Sequence, residues 1–85
     1  MFYTYVLWGK ENKNFYIGYT QNLERRLSEH KAGKVHTTYR FPSFELVFYE
    51  AFLSECDALR RERYFKTTKG KKALRLITQE SVKMI

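Results

Sequence analysis

The chain reads as a small α+β domain of the α/β class, a three-stranded antiparallel sheet flanked by helices in the order ββαβαα. Three observations predict this. Two β-rich segments near the start are joined by a turn of hairpin length, a third lies mid-chain, and capped helical stretches fill the rest. At 85 residues, the span 1–85 is expected to form one domain with a modest core and no second specificity domain.

Phe2 to Trp8 separates into two alternating sets, Phe2, Thr4, Val6 and Trp8 against Tyr3, Tyr5 and Leu7, as a strand with two distinct faces does. Gly9 to Asn14 is turn chemistry, and Phe15 to Tyr19 resumes the β pattern, so the two segments pair antiparallel and bring Tyr5 near Tyr16. Thr20 and Asn22 are both candidate N-caps for a helix from about Leu23 to Ala32, closed by Gly33. Lys34 to Pro42 reads as a loop. Phe44 to Glu50 is the third strand, with Phe44, Leu46 and Phe48 expected on one face. Ser54 and Asp57 resemble a capping box opening a helix over Glu55 to Lys66. A last helix, about Lys71 to Thr78, is expected after a break at Gly70, with fraying beyond it.

Sixteen Lys and Arg stand against nine Asp and Glu, a net charge of +7 and a pI near 9.7, which favours polyanionic partners through phosphate neutralisation. The single cysteine, Cys56, excludes an intrachain disulfide and a Cys-rich zinc site, and reads as a small buried hydrophobe in a reducing compartment. No apolar run approaches the ~18 residues of a membrane helix, and the N-terminus lacks a secretory pattern, so a cytoplasmic protein with no membrane partner is expected.

Several residues break the packing pattern. Leu23, Arg26, Leu27 and His30 share one arc of an ideal helix, so Arg26 and His30 lie on the face that the leucines bury. Arg26 therefore either snorkels to solvent or lines a polar cleft. Glu62 projects into the apolar arc formed by Ala58, Leu59 and Phe65, where it serves as an ion-pair partner for its basic neighbours or as the carboxylate of a divalent-cation site. Arg60, Arg61, Arg63, Lys66, Lys69, Lys71, Lys72 and Arg75 put eight cations into a stretch whose only acid is Glu62. That density suits a surface tracking a nucleic-acid backbone, although a solvated helix face has the same composition. His36, beside Lys34 and Arg40, reads as an exposed polar residue or a phosphate contact.

Tyr3-Thr4-Tyr5 and Tyr16-Ile17-Gly18 resemble the two half-motifs of the GIY-YIG nuclease family, the second letter for letter. The resemblance runs from Tyr3 to about Lys66 and is closest to small standalone bacterial members, similar to the nuclease module of the excision-repair excinuclease. It implies five catalytic residues: Tyr5, Tyr16, Arg26, His30 and Glu62. By it, Tyr5 acts as general base or orients the attacking water, and Tyr16 bonds that water or the phosphate. Arg26 holds a phosphate oxygen and lowers the phenol pKa, His30 donates to phosphate or relays a proton, and Glu62 binds one Mg²⁺ or Mn²⁺. The first half-motif lacks the Gly and Ile of the family's name, Tyr19 stands where the excision-repair relatives carry Lys, and no Asn follows Asn22.

The expected function is a divalent-metal-dependent endonuclease acting on DNA, including branched, flap or damaged forms, in repair or recombination, with a protein partner for targeting. Arg60, Arg61, Arg63, Lys66, Lys69, Lys71 and Lys72 are its expected nucleic-acid contacts. The alternative is a non-catalytic DNA- or RNA-binding module whose tyrosines stack on bases. A ribosome-associated scaffold rests on charge alone and ranks below both.

Overall fold

A computed structural model describes residues 1–35 and 43–85. Its elements run β1 (Phe2–Gly9), β2 (Asn14–Thr20), α1 (Leu23–Lys31), β3 (Phe44–Phe52), α2 (Glu55–Phe65) and α3 (Thr68–Ile77), with a 3₁₀ turn at Val82–Met84. The ββαβαα order and the three-stranded sheet are those expected. The sheet order is β2-β1-β3 and both pairings are antiparallel, which places β1 at the centre.

Strand alternation gives the sheet two different faces. Val6 and Ile17, cross-strand partners, project toward α2 and α3 and form a buried cluster with Phe65 and Leu74. Thr4 shares that face and donates from Oγ1 to the Ala58 carbonyl at 2.7 Å, tying β1 to α2. Tyr5, Leu7 and Tyr16 project the other way, toward α1. Tyr5 pairs with Gly18 in the register, and a Cβ on Gly18 would collide with the Tyr5 ring. Only a residue without a side chain leaves the phenol its place.

Several details depart from expectation. Phe44, Leu46 and Phe48 do not share a face. Leu46 pairs with Leu7 and Phe48 with Val6, so Val47 is an extra residue, a bulge that reverses the alternation. Phe44 and Leu46 consequently join the tyrosine face, whereas Phe48 packs edge-on to Phe65 at 6.0 Å. The capping box is also absent: Ser54 makes no side-chain cap bond, and Asp57 is held by Arg60 at 2.9 Å. One methylene shorter than Glu, Asp57 is poorly placed to reach back to the cap.

Gly70 does not break a helix. Thr67 caps α3 by accepting from the Gly70 N–H at 3.0 Å, and Gly70 sits in the first turn, pressed against the Tyr64 carbonyl. At α1, Asn22 is the cap, accepting from the Arg25 N–H at 3.0 Å, and Gly33 beyond the helix has φ +73°. The C-terminal residues turn rather than fray. Cys56 is exposed, because its place in the first turn of α2 points away from the sheet-facing Ala58. His36 and Arg40 lie outside the described residues, as does most of the loop expected from Lys34 to Pro42. Among the described residues no helix is long and apolar enough to cross a membrane.

Candidate active site

Four of the five expected catalytic residues meet on the α1 side of the sheet. Tyr5, at the centre of β1, is fully buried, and its Oη lies 2.7 Å from His30 Nε2. Arg26, one helical turn before His30, donates from Nε to the same phenol oxygen at 3.3 Å. Tyr16 sits diagonally across the hairpin from Tyr5, its ring centroid 6.3 Å from that of Tyr5 and 5.0 Å from the His30 imidazole. Phe44, delivered by the β3 bulge, closes the far side of the imidazole at 5.8 Å.

The electrostatics follow from burial. Desolvation pushes the Tyr5 phenol up to about 12, and the opposing effect of Arg26 is too small to reverse it. Arg26 lowers the phenol as its charge predicts, but removal from water outweighs the adjacent cation and the net shift is upward. His30 is 1% exposed and is pushed down to about 4, first by burial and then by the Arg26 charge. At neutral pH the pair is a phenol beside a neutral imidazole. Because the Arg26 N–H can only donate, a phenol that accepts from it and turns its own proton to His30 satisfies both bonds.

Glu29 was not singled out by sequence, yet its Oε1 lies 3.2 Å from Arg26 Nη1 and fixes the outer edge of the guanidinium. Its i,i+3 spacing from Arg26 was the available signal. Tyr19 donates to Glu55 Oε2 at 2.6 Å and stacks on Phe2 at 6.5 Å, an arrangement on the opposite face from Tyr5.

Glu62 stands on α2, beyond the other sheet face from α1. It lies two helical turns after Glu55 and hence on the same stripe, the one that reaches Tyr19 of β2. Its side chain is 20% exposed, and Oε2 pairs with Lys66 Nζ at 3.3 Å. Among the described residues no group of three metal-ligating side chains occurs. A lone carboxylate with one oxygen uncommitted fits a hard ion that keeps most of its water and arrives with phosphate, not an ion caged by protein.

The cations of the basic stretch differ in availability. Arg61 is committed to the fold: Nε and Nη2 fork onto Glu50 at 2.7 and 3.4 Å, and its guanidinium lies over the Phe65 ring at 4.4 Å. Arg60 and Lys66 hold surface pairs with Asp57 and Glu62 that solvent weakens. Arg63, Lys69 and Lys72 are exposed and have no carboxylate partner among the described residues.

Comparison with known proteins adds to this geometry. Residues 1–75 match the profile of the GIY-YIG catalytic domain. A UPF0213 protein of Staphylococcus haemolyticus is 39% identical over 91% of this chain and 94% of its own length. One from Natronomonas pharaonis is 41% identical over 93% of each. The solution NMR structure of a UPF0213 protein from Bacillus halodurans superposes with a TM-score of 0.56 at 32% identity, covering 91% of this chain and 85% of that one.

Proposed function

The chain belongs to the GIY-YIG catalytic-domain family, and from that premise we propose that it is a divalent-metal-dependent endonuclease hydrolysing DNA phosphodiester bonds, acting in the cytoplasm in repair or recombination. The observation that supports this best is the Tyr5–His30–Arg26 network. A small domain gains little from burying a phenol and an imidazole as a bonded pair where an apolar pair would pack as well. A site for proton transfer accounts for it.

With the phenol near 12 and the imidazole near 4, a preformed phenolate is not the base. A relay avoids it. As the attacking water gives a proton to Tyr5 Oη, the phenol proton passes to His30 Nε2, the hydroxide oxygen bonds to phosphorus, and the P–O bond to the leaving sugar oxygen breaks with its electron pair going to that oxygen. Tyr5 stays neutral throughout and the imidazolium carries the proton. Arg26 exchanges Glu29 for a non-bridging phosphate oxygen, so that charge developing on phosphorus meets a cation already in place. Tyr16, half-buried beside His30, holds the water or the phosphate. Glu62, the one candidate carried on the other side of the sheet, would hold one Mg²⁺ or Mn²⁺, and a bound ion would supply charge neutralisation to phosphate oxygens.

The test is incubation of the purified protein with linear, flap, branched and single-stranded DNA in Mg²⁺, Mn²⁺ or EDTA. Glu62→Ala should abolish Mg²⁺-stimulated cleavage and leave DNA affinity nearly intact, and undiminished cutting by that variant would sink the metal assignment. The observation that the unliganded site holds no ready base favours a second reading, a non-catalytic nucleic-acid-binding module. Binding indifferent to EDTA, with no cleavage of any substrate, would establish that module instead.

A further inference from the structure

The sheet face opposite Tyr5 carries an unassigned feature at the hairpin end. Trp8 and Phe15 are cross-strand partners in β1 and β2, with ring centroids 5.0 Å apart and tilted by 57°. Both are half-buried, and they line a cavity of about 260 Å³ whose other wall is Lys71 and Arg75 of α3 and the residues just beyond that helix. Three cations converge on that cavity. Lys71 and Arg75, four residues apart, stand on one face of α3, and Lys13 reaches in from the hairpin turn, where its φ is +51°. None of the three has a carboxylate partner among the described residues, whereas Arg61 and Lys66 nearby are paired. Gln79 adds an amide to the rim.

An aromatic shelf ringed by cations with no carboxylate partner among the described residues matches a nucleotide: the rings offer a stacking surface, and the cations meet the phosphates flanking the base. The volume of about 260 Å³ lies just under the 300–1,000 Å³ usual for small-molecule pockets and accommodates one base. A base can enter only if it is out of a duplex. We propose that Trp8, Phe15, Lys13, Lys71 and Arg75 form a binding site for one nucleotide of a single-stranded nucleic acid, on the side of the sheet away from the tyrosine network. The site is independent of catalysis. In a nuclease it would favour substrates with a single-stranded arm, and in a binding module it would work equally well.

Trp8 is the only tryptophan of the chain, so the site carries its own reporter. The full chain is titrated with a short oligothymidylate, an oligouridylate and a blunt duplex of equal length while indole fluorescence is read. A single strand should quench Trp8 and the duplex should not, and the DNA and RNA arms decide which sugar is preferred. Lys71→Ala with Arg75→Ala should weaken the quenching interaction about tenfold, the order expected for two lost phosphate contacts. Lys69→Ala with Lys72→Ala, an equal loss of charge on the same helix outside the cavity, should weaken it less. No quench by either single strand, equal quench by the duplex, or equal loss from the two double variants would overturn the site. Quenching without cleavage would retain it and discard the nuclease reading, and metal-dependent cleavage without quenching would do the reverse.

Discussion

The two faces of this sheet are drawn from alternate residues of the same strands, yet they are held together by different physics. On the α2–α3 side Val6, Ile17, Phe65 and Leu74 exclude water with no polar atom among their side chains, and each fully buried residue of this kind stabilises by about 1.5–3 kcal/mol. On the α1 side the equally buried Tyr5 and His30 give up that gain and depend on two hydrogen bonds and a guanidinium to satisfy them. The comparison teaches that β1 is both the mainstay of the core and the platform of the site. One face holds the backbone rigid so that the other can carry a costly polar arrangement.

The largest effect should come from the apolar face. Phe65→Ala should lower unfolding free energy by about 3–5 kcal/mol in urea titration. A loss under about 1 kcal/mol would show that the core is not where stability resides. Next in size is a pH effect confined to the polar face. His30 takes up its proton near 4 when folded and near 6.5 when unfolded, so the unfolded state binds the proton first as pH falls. Stability is therefore complete above about pH 6.5 and declines toward pH 4, by on the order of 3 kcal/mol over that window. His30→Gln should flatten the decline, and an unchanged pH profile in that variant would assign acid sensitivity to other groups. The smallest change in stability should follow Tyr16→Phe, which removes a half-buried hydroxyl and should shift the midpoint by less than about 0.5 kcal/mol. If the face is catalytic, the same variant should still cut DNA more slowly, and equal cleavage rates would exclude a role for that hydroxyl.

Much of this contrast was legible beforehand, because it depends on short-range periodicity. Alternation in Phe2 to Trp8 separated Tyr5 from Val6, and helical spacing put Arg26 and His30 on one arc. What escaped depended on contacts across the fold. The protonation of Tyr5 is decided by how completely β1 is covered, which no local pattern reports, so the effect of Arg26 looked larger than it is. Helix α3 starts before Gly70 because Thr67 as a cap outweighs Gly70 as a breaker. The fate of each cation in the basic stretch depended on acids elsewhere: Arg61 is neutralised by Glu50 of β3, eleven residues earlier in the chain.

The bulge at Val47 has a wider consequence. A strand has a reading frame of two, and β3 changes frame once, between Leu46 and Phe48. Upstream of that point its in-frame residues belong to the imidazole's enclosure, and downstream they belong to the core. Without Val47 the strand would keep Leu46 and Phe48 on opposite faces, whereas pairing Val47 with Leu7 in a regular ladder would turn Phe44 and Leu46 to the other face together and remove the ring that backs His30. In this strand the count of residues matters as much as their chemistry.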